Sequence, residues 1–280
     1  MEGDQKEKPL LPFVPLVQLE PAEEDVYIGH SPQYPWRRVY GGLVVAQALR
    51  AAFYTAPESF AVHSLHAYFI LGGSHDEPIR YEVDRIRDGR SFTTRRVVAH
   101  QSSGAILNLS ASFHKPEEDA NVQLASMPEG LPAPETLRRD RWNEHLENHV
   151  VPKPSERTGH IAAWIRVPDC PPDDPALQAC ALAYASDELP TMASIAAHPR
   201  GVGGFGTSES FGFFTASLDH AIWFHRPSRA DQFMLHDMEC QVVGGARSLT
   251  IARIFDRDGT HVASLTQESL LRNLREQPAG

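Results

Sequence analysis

Two stretches of the chain are apolar on nearly every side of a helix. The first runs Gly41-Gly42-Leu43-Val44-Val45-Ala46-Gln47-Ala48-Leu49-Arg50-Ala51-Ala52-Phe53. The second runs Leu177-Gln178-Ala179-Cys180-Ala181-Leu182-Ala183-Tyr184-Ala185-Ser186-Asp187. A surface helix carries a polar stripe, so both helices are predicted to be buried, and their Ala and Gly positions allow close approach to a sheet. Runs rich in β-branched and aromatic residues follow each helix, bounded by turns such as Asp88-Gly89 and Asp258-Gly259. They predict strands over Phe60–Ile70, Ile79–Asp88, Ser91–Gln101 and Ala105–His114, then over Phe213–His225, Gln232–Val243, Ser248–Asp256 and His261–Leu271.

The two series match each other. Arg90-Ser91-Phe92-Thr93 returns as Arg247-Ser248-Leu249-Thr250 at an offset of 157, and Gly104 returns as Gly259 at an offset of 155. Phe69, a turn and Pro78-Ile79 parallel Phe224, Pro227 and Gln232-Phe233. The same helix, strand junctions and turns in the same order imply a duplicated unit. Between the copies, Lys115 to Pro154 is rich in Pro and charge, the composition of a linker, with a short helix predicted from Pro134 to His149. The expected organisation is an N-terminal domain over 15–115, a linker over 116–153 and a C-terminal domain over 154–273 that carries the candidate catalytic residues.

One buried helix wrapped by an antiparallel sheet is the hot-dog arrangement. The predicted fold class is therefore α+β: a double hot dog, two antiparallel sheets each around a long buried helix, forming a pseudo-dimer within one chain. Specific segments carry a resemblance. They are Arg38-Val39-Tyr40-Gly41-Gly42 leading into Val44-Val45-Ala46-Gln47-Ala48-Leu49; His63-Ser64-Leu65-His66-Ala67-Tyr68-Phe69; and Tyr81-Glu82-Val83 through Arg87-Asp88-Gly89-Arg90-Ser91-Phe92. In the second half they are Ala183-Tyr184-Ala185-Ser186-Asp187, Ser217-Leu218-Asp219-His220 through Trp223-Phe224-His225-Arg226-Pro227, and Gln267-Glu268. Spread from about Asp25 to Arg272, they make the chain resemble the acyl-coenzyme A thioesterase II family of bacterial and peroxisomal enzymes.

The residues admit plain readings beside that one. An Asp at a helix end usually faces water, yet Asp187 has apolar neighbours, and a desolvated carboxylate is a better base. Ser217 is either an ordinary strand hydroxyl or a group that holds a water; no Gly-x-Ser-x-Gly elbow surrounds it. In a regular strand it shares a face with Asp219. Gln267 is either a half-exposed polar residue or an amide that accepts from a water while donating to a substrate oxygen. The resemblance implies that Asp187, Ser217 and Gln267 are catalytic. Asp219, His220 and His225 read as mostly structural, with Asp219 a candidate support for Ser217. Gly41 and Gly42 bring a helix N-terminus near a ligand. Leu43 stands where the family commonly has Gln, so Gly41, Gly42 and Leu43 are the candidate substrate-binding positions.

Charge and composition narrow the class. Lys+Arg number 26 against Asp+Glu 36, a formal net charge of −10, which argues against a nucleic-acid partner. Three Cys without C-x-x-C spacing point to a reducing interior, cytoplasmic or peroxisomal, although a Ser-Lys-Leu-type C-terminal address is absent. No apolar run reaches the ~20 residues of a membrane span. The expected partner is an acyl-coenzyme A substrate, with no metal or redox cofactor; a homo-oligomer is compatible with the reading. For coenzyme A phosphates, Arg37, Arg38, Arg85, Arg87, Arg90 and Arg247 are candidates without an individual assignment. The expected reaction is hydrolysis of an acyl-coenzyme A thioester to free acid and coenzyme A. Alternatives are a thioesterase of a secondary-metabolite pathway, a hot-dog enoyl-thioester hydratase and a non-catalytic acyl-binding protein.

Overall fold

The computed structural model describes residues 10–34, 36–140, 142–201 and 212–274. In chain order the elements are helix α1 (Val14–Val17), strands β1 (Glu20–Glu23) and β2 (Val26–Gly29), helix α2 (Gly41–Thr55), and strands β3 (Ala61–Phe69), β4 (Ile79–Asp88), β5 (Phe92–Gln101) and β6 (Gly104–His114). After a 3-10 turn at Pro134–Thr136 come β7 (Glu147–Val150), β8 (His160–Arg166), α3 (Pro175–Ser186) and α4 (Pro190–Ala197). The chain then forms β9 (Phe213–Ser217), β10 (Asp219–Phe224), β11 (Met234–Gly244), β12 (Arg247–Phe255) and β13 (His261–Asn273).

Among the described residues the strands make one antiparallel sheet, ordered β1-β2-β4-β5-β6-β3-β10-β13-β12-β11-β8-β7, with β9 also on β13. Read inward from either end the order is the same, so the two halves are copies joined at β3 and β10. That joint has internal two-fold symmetry. Tyr68 faces Asp219, His66 faces Ala221 and Ser64 faces Trp223, so His66 and Ala221 mark its centre. The expected double hot dog is the observed architecture.

Both helices pack against the sheet and against each other, as their all-round apolarity requires. From Leu177 to Ser186 every residue of α3 is buried. Asp174 starts this helix by accepting the Leu177 N–H at 2.9 Å, with Pro175 in the first turn. It ends because Asp187 leaves helical geometry (φ −87°, ψ 4°) and α4 begins at Pro190.

Helix α2 begins directly against α3. The Tyr40 hydroxyl donates to the Tyr184 carbonyl at 2.9 Å. A Cβ on Gly42 would collide with that same carbonyl oxygen, and one on Gly41 would stand 2.6 Å from Asp187 Oδ2. The two glycines are required by this approach.

Three expectations are corrected. Among the described residues the helix predicted from Pro134 to His149 is absent: they form the 3-10 turn, a bridge from Asp140 to Asn148, and β7. Side-chain bonds to proline carbonyls hold it in this path. Trp164 Nε1 donates to Pro132 O at 3.0 Å, and His149 Nδ1 meets Pro134 O at 2.8 Å. Ala125, Met127, Leu131 and Leu137 pack on a small core that includes Trp164, Phe233 and Phe255, so the Pro-rich segment is docked.

Next, the strand predicted over Phe213–His225 is broken at Leu218. Ala221 pairs with Thr266 and Ser217 with Ser269, so three residues stand opposite two, a β-bulge. Finally, because of that bulge Asp219 does not support Ser217; its Oδ1 accepts the Glu268 N–H at 3.0 Å. The short strands β1, β2, β7 and β8 and helix α4 carried too few patterned residues to be foreseen.

Because Gly42 faces backbone rather than a movable side chain, Gly42→Ala is expected to lower stability by about 1–3 kcal/mol. A lower urea midpoint with unchanged slope checks this.

Candidate active site

Asp187 sits at the end of α3, yet its carboxylate lies at the start of α2. In the first turn of a helix the backbone N–H groups have no partner within the helix. Here Leu43 and Val44 return their N–H groups to Tyr40 O, and Tyr40 supplies no side-chain cap. The carboxylate approaches that end from the other half of the molecule: its Oδ2 lies 2.6 Å from where a Cβ on Gly41 would stand, and the Gly42 N–H favours its charged form. Phe69 closes the site from β3, with its ring edge 3.1 Å from where a Cβ on Gly41 would stand.

Two side chains from the C-terminal half of the sheet complete the carboxylate's surroundings. Ser217 Oγ, at the end of β9, donates to Asp187 Oδ1 at 3.3 Å. Gln267 Nε2, on β13, donates to Ser217 Oγ at 2.9 Å, and the amide also reaches the carboxylate. Gln267 is fully buried. Burial pushes the Asp187 carboxyl up to about 7, against the opposing pull of Gln267, Ser217 and the Gly42 N–H. Desolvation therefore outweighs three hydrogen bonds, and the group titrates near neutrality.

The three residues that sequence reading singled out thus meet in one place. Gly41 and Gly42 adjoin them, while Leu43 is fully buried in the core. Two of the candidate arginines are already engaged: Arg85 Nε lies 2.7 Å from Asp25 Oδ2, and Arg247 Nε lies 2.9 Å from Glu268 Oε1. Arg38 lies over the Phe214 ring at 5.7 Å. His225 meets Ser264 Oγ at 2.9 Å on the sheet.

Two further groups touch the site. Glu188 follows Asp187 and is buried, held by Asn148 Nδ2 at 3.2 Å and Asn143 Nδ2 at 3.4 Å. Burial without a cation pushes its carboxyl well above the carboxylate range. An acidic pair between an apolar helix and Leu189-Pro190 was its signal in the sequence. His220, read from sequence as structural, lies with Nδ1 2.6 Å from Gln267 Oε1 and Nε2 2.8 Å from Ser186 Oγ. The bulge brings it there. Ser217 and His220 are three apart, which puts them on opposite faces of a regular strand; one extra residue turns both toward Gln267.

The duplicated unit does not duplicate the site. The β3–β10 symmetry matches Val62 to Ser217, Leu65 to His220 and Ala111 to Gln267. The residue after α2, matching Asp187 after α3, is Ala56. All four counterparts are apolar. Among the described residues no three or more His, Cys, Asp or Glu gather as a metal-binding group. No helix among them is long and apolar enough to cross a membrane.

Comparison with known proteins places this geometry in a family. Residues 30–114 match the model for the acyl-CoA thioesterase N-terminal domain, and residues 116–271 match the model for the C-terminal domain. Acyl-CoA thioesterase 2 of Haemophilus influenzae is 33% identical over 283 residues, covering 93% of this chain and 96% of its own. Acyl-coenzyme A thioesterase 8 of Mus musculus is 34% identical, covering 92% and 88%. The crystal structure of the acyl-CoA thioesterase II TesB2 from Mycobacterium marinum superposes with a TM-score of 0.81 at 36% identity, covering 95% of this chain and 98% of that one. With both halves matched and the order of elements shared, the chain belongs to the acyl-CoA thioesterase II family and is a thioester hydrolase of double hot-dog fold.

Proposed function

We propose that the chain hydrolyses acyl-coenzyme A esters with Asp187 as general base, acting on a water that Ser217 and Gln267 orient. The observation that carries this reading is the buried Asp187 carboxylate, bonded by Ser217, which Gln267 bonds in turn, and raised by burial to about 7. A base with a pKa near the working pH combines adequate ionisation with adequate proton affinity. Attack of the water on the thioester carbon passes its proton to Asp187. The negative charge that develops on the carbonyl oxygen is favoured near the start of α2, where the helix dipole is positive. Collapse of the tetrahedral species expels the coenzyme A thiolate, which takes up a proton. Leu43, in the first turn of α2, is proposed to shape the acyl site.

The retained polar set distinguishes this reading from a passive acyl-binding module, which has no use for a desolvated base. A hydratase alters the acyl chain and leaves the thioester whole, so release of free thiol separates it from a hydrolase. The same chemistry serves lipid turnover or the release of an acid from a biosynthetic intermediate.

Asp187→Asn keeps shape and hydrogen bonding but cannot take a proton. Its kcat is expected to fall about 10²–10⁴-fold with the fold retained, measured by thiol release from acyl-coenzyme A. Ser217→Ala and Gln267→Ala should each lower kcat, and combined with Asp187→Asn should cost less than the product of the single effects, since all act on one water.

The pH profile of kcat/KM should rise with pH to a plateau, with its midpoint near 7, because only the ionised carboxylate is a base. Ser217→Ala removes a donor that favours the ionised form, so its midpoint should move upward. Stability runs the other way. Folding raises this pKa from 3.8 to about 7, so between those values the folded state holds more protons and loses stability as pH rises. Asp187→Asn should therefore melt above the parent at pH 8, with the advantage narrowing toward pH 4.

Leu43→Gln should shift relative rates across short, medium and long acyl-coenzyme A esters without abolishing turnover. An unchanged profile would remove Leu43 from the acyl site.

A further inference from the structure

Behind Gln267 runs a chain of hydrogen bonds that leads away from the carboxylate into the core. It passes from Gln267 Oε1 to His220 Nδ1 (2.6 Å), then from His220 Nε2 to Ser186 Oγ (2.8 Å). His220, Gln267 and Ser186 are all fully buried, so bulk solvent does not reach the bonds between them. The bonds must be satisfied by the protons the chain itself carries.

Two self-consistent arrangements exist. In one, the Ser186 hydroxyl donates to His220 Nε2, His220 Nδ1–H donates to Gln267 Oε1, Gln267 Nε2 donates to Ser217, and Ser217 donates to Asp187. Every proton points toward the carboxylate. In the other, Ser186 donates to Ala183 O, which stands 2.9 Å away, and His220 carries its proton on Nε2. The Gln267 amide is then reversed, and Ser217 gives its proton to Gln267. That arrangement turns the amide oxygen and the Ser217 lone pairs toward a carboxylate, which repels both. The ionised base selects the first.

We propose that His220 is a positioning residue of the hydrolase: neutral and protonated on Nδ1, it locks the Gln267 amide so that the Ser217 proton is delivered to Asp187. Burial holds the imidazolium pKa down to about 4, so the ring stays neutral with a single N–H across the working range. The fold needs no histidine at this place, since Leu65 occupies the symmetric position in the first half. What it does require is the bulge that turns His220 inward. The inference rests on the roles proposed for Asp187, Ser217 and Gln267.

The direct test is NMR of the unmodified chain with ring nitrogens labelled, the His220 signal being identified by its loss in His220→Asn. The Nδ1–H tautomer is expected; an Nε2–H tautomer overturns the proposal, whatever the kinetics. The kinetic test uses His220→Leu, which copies Leu65 of the first half, and His220→Asn, whose side-chain amide can place an N–H where Nδ1–H stood. His220→Leu should lower kcat about 10–100-fold with KM within about twofold, and His220→Asn should restore most of the rate. In a Gln267→Ala background His220→Leu should cost nothing further, because the group it positions is gone. Equal losses in His220→Leu and His220→Asn would assign the residue to packing and overturn the proposal. A loss in Gln267→Ala without one in His220→Leu overturns the role of His220 alone. Parent-like rates in Gln267→Ala overturn it together with the reading on which it rests. If His220→Leu does not fold, the tautomer measurement still decides.

Discussion

The structure depends on one contact between the halves: the carboxylate that ends α3 caps the start of α2. A helix N-terminus carries unpaired N–H groups and partial positive charge, and an acid there is favoured. Tyr40 cannot supply that acid, and Asp187 does. The contact requires the helices to approach until only glycine fits at 41 and 42, and it takes the carboxylate out of water. Closeness therefore creates both the cap and the raised pKa. The balance between desolvation and three donors brings the group near neutrality rather than leaving it an ordinary acid or a permanently protonated one.

Duplication then explains why the molecule has one such place rather than two. The joint between β3 and β10 is symmetric about His66 and Ala221, and both halves carry a bulge: β3 shifts register between Val62 and Ser64, β9–β10 between Ser217 and Ala221. Backbone geometry has been kept twice, polar side chains once. At the matching end of α2 the fully buried Arg95 donates to the Thr55 carbonyl and hydroxyl, and a cation at a helix C-terminus favours that end. One end of the pair holds its helix with a cation, the other releases its acid to the neighbouring helix.

Much of this was legible in the sequence. All-round apolarity identified α2 and α3 as buried, and β-branched runs marked eight strand regions, because those signals persist over many residues. Asp187, Ser217 and Gln267 were legible through the motifs around them; nothing local to Gln267 reveals burial. What escaped depended on long-range pairing. A single extra residue at Leu218 breaks a strand that looks continuous, and the even spacing of Ser217 and Asp219 then misleads about which side chains share a face. The odd spacing of Ser217 and His220 hid a real partnership for the same reason. The segment from 116 to 153 read as a linker because Pro and charge dominate it, while its few apolar residues are enough to dock it on Trp164, Phe233 and Phe255.

The position of β13 has a consequence for how the molecule comes into being. Among the described residues it is the last strand, and it lies between β10 and β12. Gln267 sits on it, and its partners come from α3, β9 and β10; the glycines that Asp187 meets lie more than 200 residues earlier. Contacts of such sequence separation form late and slowly. During synthesis the N-terminal half is free to fold first, but it contains none of the acid, hydroxyl or amide groups. The site therefore cannot be assembled until β13 has been made and has taken its place between β10 and β12.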